Sequence, residues 1–340
     1  MTYPKISIIV VNYNQKKLTL NCLASLTKIS YPKYETILVD NNSQDDSVKV
    51  VEIKFPKTTL IQLATNTGFV GGNNAGIKVA KGNYILFLNN DTEVKPGFLE
   101  PLVEDLMKDE KLGVVQSKIF VMDHPDTLDS VASYQTSTGF LYHKGYLDKD
   151  REEYKKFQYT FSAKGACMMV KREVLKLGGF DQKYFAYFEE TDLCWRAWVM
   201  GYKVGFEPKS IIYHKMGATS SKLKSSFVHY HSFKNRIRTI IKNSSGGTLA
   251  CMLPIHLASC LVLSFYFLVS GQTNGTGAII RAVFWNLKNL GETLTLRSMV
   301  QKARRTSDKE IFSITLKNPS LFFYIHHLSL VKQNLSQSQN

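Results

Sequence analysis

Apolar and polar positions alternate between two periods along the first hundred residues, and the alternation predicts strands separated by helices. A continuous β-branched run over residues 6–11 predicts a buried parallel strand. Leu18, Cys22, Leu23 and Leu26 then recur at the spacing of one helix face. Residues 36–39 predict the next strand, ending at Asp40. Val48, Val51 and Ile53 predict a helix opened by Asp45-Asp46, whose charges suit a helix N-terminus. A short strand at 60–63, a helix at 73–80 and a strand at 84–88 complete the series. Strands alternating with helices imply an α/β fold with a mostly parallel sheet covered on both faces. The only low-complexity tract is a polar tail at 333–340.

Three of these strands end in polar residues: Asn12-Tyr13-Asn14, Asp40-Asn41-Asn42 and Asn89-Asn90-Asp91. In a parallel sheet the three clusters share the carboxyl edge, where open α/β sheets bind ligands. Oxygen ligands such as Asp91 suit Mg²⁺ or Mn²⁺ bridging a diphosphate. The last cluster alone fits a plain turn as well, since Asn and Asp favour turns. Three such endings together predict a site, and their amides suit hydrogen bonds to a nucleobase, ribose and phosphates. The segment from Asn66 through Gly68, Gly71, Gly72 and Asn73 to Gly76 adds a glycine-rich approach to a helix, where backbone N–H groups can face an anion. It matches neither the dinucleotide fingerprint nor the P-loop, which argues against NAD-dependent and ATPase chemistry.

In the second half, Glu189, Glu190 and Asp192 lie within four residues, beside aromatic neighbours. Mutual repulsion and desolvation raise a carboxyl pKa and favour a general base. The same acids would also suit the first turn of a helix at 193–200, a reading that fits Asp192 best. His214 follows a strand-like run after Glu207-Pro208 and is either a structural histidine or a third metal ligand. Gly165 either lets a sugar or phosphate approach the backbone closely or serves packing.

Bulk composition narrows the partners. The chain has 340 residues, 44% hydrophobic and 21% charged, enough for one large α/β domain plus an appendage. A net charge of +15 and a pI near 9.4 imply an anionic partner. No nucleic-acid-binding module is recognisable, so nucleic acid is a weaker explanation than a membrane surface or a phosphorylated substrate. Five cysteines without metal-ligand spacing predict reduced core thiols in a cytosolic compartment. The apolar stretch at 6–11 is too short for a signal peptide, which predicts a cytoplasmic protein.

Residues 249–269 are apolar enough and long enough to span a bilayer core of about 30 Å. Basic residues flank them on both sides (Lys234, Arg236, Arg238 and Lys242 before, Arg281, Lys288 and Arg297 after), which argues against a single crossing. The expectation is a re-entrant or interfacial helix pair, the second carrying Ile279, Ile280, Val283, Phe284, Leu287, Leu290, Leu294 and Leu296. A buried core helix or a homodimer interface is the alternative.

These motifs resemble the family-2 inverting glycosyltransferases, particularly the bacterial rhamnosyltransferase-like branch. The likeness covers roughly residues 4–220 and rests on the stretches at 6–14, 39–45, 66–76, 88–92, 178–181, 188–193 and 208–214. It implies the GT-A fold, a nucleotide-diphosphate sugar donor carrying rhamnose or a hexose, and a Mn²⁺ or Mg²⁺ cofactor. It implies that Asp40 reads a pyrimidine base and that Asn12, Asn14, Asn42, Asn66, Gly68, Asn73 and Gly165 line the donor site. Asn89-Asn90-Asp91 resembles the DxD motif, with Asn in place of its first Asp, so that Asp91 carries most of the ligation. His214 resembles the additional ligand. Glu190 stands where the family has its catalytic base, ahead of Glu189 and Asp192, and no Gln-x-x-Arg-Trp stretch of a processive polymerase occurs. The implied organisation is a nucleotide-sugar-binding half (1–110), an acceptor-binding and catalytic half (111–240), a helical membrane-associated extension (241–332) and the tail. The implied setting is cell-surface polysaccharide synthesis, on a glycan or lipid-linked glycan acceptor at the inner face of the cell membrane. A non-catalytic nucleotide-sugar-binding scaffold subunit of a polysaccharide assembly complex is the alternative.

Overall fold

The computed structural model describes residues 3–218 and 223–320. The expected tail at 333–340 and the last stretch of the expected extension lie outside the described residues. The opening β-branched run becomes β1 (Ile6–Asn12), whose Ile6, Ile8, Ile9 and Val10 are wholly buried because helices cover both faces of the sheet. β1 pairs in parallel with β2 (Tyr34–Asp40) and β4 (Tyr84–Asn89), and β2 with β3 (Thr59–Gln62). The crossovers are α1 (Lys16–Leu26), α2 (Ser47–Lys54) and α3 (Gly68–Val79). α1 buries Cys22, Leu23 and Leu26 as their spacing predicts. In α2 only Val51 of the three apolar residues is buried, and Ile53 faces solvent. Register aligns Asn12 with Asp40 and Val11 with Asn89, so the three polar strand endings do share one edge.

Two expectations change. The helix expected at 73–80 begins at Gly68, because its glycines serve packing: a Cβ on Gly72 would lie 2.6 Å from Val11 Cγ1, and one on Gly76 2.5 Å from Ile9 Cγ2. Their absence of side chain lets α3 lie directly on β1. The sheet, parallel in its first half, is mixed beyond β4. After β5 (Thr92–Val94) and the amphipathic α4 (Leu99–Lys108) come β6 (Leu112–Val121) and β7 (His124–Ser130). The chain then wanders through β8 (Ala132–Gln135), β9 (Leu141–Lys144) and β10 (Gln158–Tyr159). No crossover helix intervenes, so β11 (Cys167–Lys171) inserts antiparallel between β4 and β6. β12 (Lys203–His214) follows α5 (Glu189–Val199), parallel to β6 and antiparallel to β5.

Five helices complete the described chain: α6 (Ser225–Asn243), α7 (Gly246–Val269), α8 (Thr273–Lys288), α9 (Leu290–Lys302) and α10 (Asp308–Thr315). α6 runs across position 240 and is anchored to the sheet domain by buried charge. Arg238 donates to Asp181 at 2.9 Å, and Lys242 lies 2.8 Å from both Asp181 and Asp192. Cys22, Cys167, Cys194 and Cys260 are buried free thiols, and burial pushes the first three up to about 12.

Candidate active site

The turn after β4 is pinned from both sides by backbone bonds. The Asn89 N–H donates to the Ala166 carbonyl just before β11 (3.0 Å), and the Asp91 carbonyl accepts from the Lys215 N–H just after β12 (2.8 Å). His214 pairs in register with Thr92, the residue after Asp91. Its Nε2 consequently lies 3.3 Å from Asp91 Oδ1, a buried oxygen with no aligned donor. The other ring nitrogen, Nδ1, is 2.8 Å from Asp129 Oδ2 in β7, and Asp129 Oδ1 is 3.2 Å from Lys164 Nζ. Burial alone would lower the His214 pKa, but its bonds to Asp129 and Asp91 outweigh that and lift it to about 9. Burial would likewise raise Asp129, yet Lys164 and His214 hold it well below the usual carboxylate range.

Lys164 joins this cluster to the acids of α5, since it is close enough to Glu190 for their charges to act on one another. Gly165 faces the same residue. A Cβ there would stand 3.7 Å from Phe69 Cζ and 3.9 Å from Glu190 Cβ, ordinary contact distances, so no packing demand forces glycine at this point. Glu189 and Glu190 both have raised carboxyl pKa values, through burial first and, for Glu189, through the neighbouring Glu190 charge. Each keeps one buried oxygen without a hydrogen-bond partner among the described residues.

The backbone leading into these acids is strained: Tyr187 and Phe188 both have φ of +71°, a conformation that bulky residues rarely adopt. α6 holds them there. Asn235 Nδ2 donates to the carbonyls of Ala186 (2.9 Å) and Tyr187 (2.6 Å), and the Arg236 guanidinium lies 4.9 Å from the centre of the Phe188 ring.

Asp192 does not join its neighbours. It is fully buried and committed to Arg196 (3.0 Å), Asn243 (2.9 Å) and Lys242 (2.8 Å), so it ties α5 to α6 and cannot meet an acceptor hydroxyl. Several residues expected at the donor site are also turned inward. Asp40, 3% exposed, accepts from Asn12 Nδ2 (2.9 Å) and the Ser43 N–H (2.9 Å), so what it presents is the loop after β2 rather than its own carboxylate. Asn12 and Asn90 share a buried network with Thr19: the Thr19 hydroxyl donates to Asn12 at 2.7 Å, and Asn90 Nδ2 donates to Thr19 at 2.9 Å. Asn73 is buried and donates to the Phe69 carbonyl of its own helix.

The start of α3 is not an open anion cradle. Asn41 accepts from the Thr67 N–H, Asn66 from the Gly68 N–H, and the Phe185 carbonyl from the Val70 N–H. Phe185 sits directly over Gly68, where a Cβ would come within 2.3 Å of its carbonyl oxygen. Asn14 and Asn42 do stand exposed at the rim, at φ of 52° and 66°, and Asn89 is half-buried at the end of β4. Asn41, part of the second polar strand ending, and Asn74 have structural duties: Asn41 donates to the Gly68 carbonyl (2.9 Å), and Asn74 exchanges two hydrogen bonds with the Phe180 backbone (2.8 and 2.9 Å).

Among the described residues no three His, Cys, Asp or Glu side chains are grouped to hold a metal unaided. Asp91 and His214 form a pair. The sequence model of the family described as Glycosyl transferase family 2 matches residues 7–179. The chain belongs to glycosyl transferase family 2. It is similar to the O-antigen biosynthesis protein RfbC of Myxococcus xanthus, 29% identical over 64% of this chain and 18% of that protein. A low-salt glycan biosynthesis hexosyltransferase of Haloferax volcanii is 25% identical over 77% of this chain and 85% of that protein. Other curated relatives are longer, and the chain spans less than half the length of the poly-beta-1,6-N-acetyl-D-glucosamine synthase of Staphylococcus epidermidis. Solved structures with the same GT-A fold include S. aureus TarS (TM-score 0.55, 20% identity, 88% of this chain and 86% of that one). A Pyrobaculum calidifontis mannosyltransferase, in complex with GDP-Man and Mn²⁺, matches at TM-score 0.55 and 18% identity over 89% of this chain and 86% of its own.

Proposed function

We propose that this protein transfers rhamnose or a hexose from a nucleotide-diphosphate donor to a hydroxyl of a glycan or lipid-linked glycan, with inversion at the anomeric carbon. The observation that carries the reading is a continuous cluster: Asp91, His214, Asp129, Lys164 and Glu190 meet in succession at one sheet edge. Asp91 Oδ1, buried without an aligned donor, and His214 Nε2 beside it are an oxygen and a nitrogen that would hold Mn²⁺ or Mg²⁺. When bound, that ion neutralises charge on the leaving diphosphate. The His214 proton, held by Asp91 and Asp129, is the one such binding would displace.

The chain's own residues supply the rest. Glu190 accepts the proton of the acceptor hydroxyl, whose oxygen bonds to the anomeric carbon as the bond to the diphosphate breaks on the opposite face. No covalent enzyme intermediate forms. Burial holds Glu190 as a base of raised pKa against the opposing charge of Lys164, and the more deeply buried Glu189 is raised by burial and by the Glu190 charge. The loop held by Asp40, with Asn14 and Asn42 at its rim, is where the base and ribose would rest. On this reading residues 1–110 hold the donor, 111–240 the base and acceptor wall, and the helical extension meets the cytoplasmic face of the membrane. Relatives named for O-antigen and glycan biosynthesis support a role in cell-surface polysaccharide synthesis.

Glu190→Gln is expected to lower transfer by at least about a hundredfold, as loss of a general base does, while donor-induced thermal stabilisation persists. Transfer assayed with Mn²⁺ or Mg²⁺, candidate nucleotide-sugars and extracted membrane glycolipids checks it. Unchanged transfer by the variant would remove Glu190 from the mechanism. Donor binding without turnover in the natural protein would instead favour a scaffold subunit.

A further inference from the structure

We propose that α7 and α8 together form a docking surface for an anionic lipid bilayer and lie in its interface without crossing it. The proposal deepens, and rests on, the membrane contact of the helical extension read above. α7 is 24 residues long, yet only 17% of its most apolar window is buried. The buried part is a stripe at four-residue spacing, Met252, His256, Cys260 and Ser264. It is fixed along its length: Gln135 Nε2 bonds Met252 Sδ at 3.5 Å, His256 Nδ1 lies 2.9 Å from the Thr138 carbonyl, and Cys260 packs with Phe233 and Ile279. A helix fastened along one side to a sheet domain is not free to traverse a membrane. Its other side is open. Leu261, Val262 and Phe265 are 72%, 68% and 66% exposed, and Phe284 of α8 is 65% exposed. An apolar surface of this kind on a globular protein marks a contact site.

Charge selects the partner. From residue 208 to residue 291 the sequence contains no Asp or Glu, and while Lys234, Arg238 and Lys242 are buried, Lys224 before α6 and Arg281 and Lys288 of α8 stand exposed. A second copy of the chain meeting this face through a two-fold axis would bring like charges together, whereas anionic headgroups complement them. At the margin of the apolar face, a groove of about 400 Å³ between the start of α6 and α8 is lined by Leu223, Lys224, Phe227, Tyr230 and Arg281. Two cations over apolar walls suit a lipid phosphate with its chain lying alongside. Phe227 packs edge-on against Phe185 at 5.9 Å, and Phe185 covers the start of α3, so the groove adjoins the wall of the cleft.

Co-flotation of the full chain with phosphatidylcholine vesicles, with and without phosphatidylglycerol, tests the proposal. Binding is expected only to the anionic vesicles, and alkaline carbonate should release it. Leu261→Asp with Phe265→Asp should abolish binding, and Arg281→Glu with Lys288→Glu should weaken it about tenfold or more. Both variants should retain donor-induced thermal stabilisation, showing that they fold. Failure to float, flotation unaffected by either variant, resistance to carbonate, or a dimer that Leu261→Asp with Phe265→Asp splits would each overturn it. Flotation needs no sugar transfer: a protein that floats but transfers nothing sinks the enzymatic reading alone, and one that transfers to a soluble acceptor but never floats sinks this one.

Discussion

Asp129 sits between two cations, and through His214 it reaches Asp91. A carboxylate bonded to the far nitrogen of a ligating histidine fixes the ring's tautomer and aim, and such partners are typically worth about 10–100-fold in metal affinity. Asp129→Asn should therefore raise the Mn²⁺ concentration needed for half-maximal transfer by about that factor, while metal-free nucleotide binding stays unchanged. Glu190 has a raised pKa, so transfer should climb with pH through a value above the ordinary glutamate range of about 4.3. Burial raises that pKa, and the Lys164 charge opposes the rise. Lys164→Met should displace the acid limb of the kcat profile to higher pH, and an unmoved limb would show that Lys164 only anchors Asp129. Asp91, Glu190 and His214 were legible in the sequence because each ends or opens an element. Asp129 was not, since it matters only through strand pairing that brings it beside a histidine 85 positions away. Asp192 misled for a related reason: with Arg196 one helical turn on, it lies on the side of α5 that faces α6, and the acidic cluster alone does not say which acid turns which way.

Elements behave as their periodicity dictates where packing follows local pattern, as in β1, β2, β4 and α1. They depart from it where backbone contact decides. The glycines of α3 suggest an anion-facing helix start in the sequence, but Gly72 and Gly76 are the places where the helix touches β1 and Gly68 lies under Phe185. β11 reads as a strand whose direction no pattern encodes, and its antiparallel course places Lys164 and Gly165 beside the turn after β4. α6 is the element whose importance grew most. Asp181, before α5, is bonded by Arg238 and Lys242 of α6, which hold its pKa far below the carboxylate norm against the effect of burial. Asp181→Ala removes the carboxylate that Arg238 and Lys242 share, leaving Arg238 with Glu292 and Lys242 with Asp192, and should cost about 1–3 kcal/mol. The folded-state pKa is depressed, so this contribution is complete above the unfolded carboxylate value of about 4 and disappears as pH falls below it. Urea unfolding of both proteins at neutral and acid pH should show the gap closing on the acid side.

For the whole molecule, the sequence revealed the charge and the apolar helices, because these are properties of composition and of long segments. It left open which side of 249–269 is covered, since an almost uniformly apolar helix carries little periodic signal and its buried stripe is chosen by the loop it lands on. The extension is also no separate appendage. Lys234, Asn235 and Arg236 are consecutive in α6. Lys234 is bonded through its carbonyl by Asn286 of α8, while the next two grip the turn that carries Glu189 and Glu190. Whatever presses on α8 is thus passed, within three residues, to the backbone that aims the proton acceptor. On the function proposed above, removing α6 would at once strip Asp181 and Asp192 of their buried cations and release the turn that aims Glu190, so that loosening the fold and disarming the base would be one event.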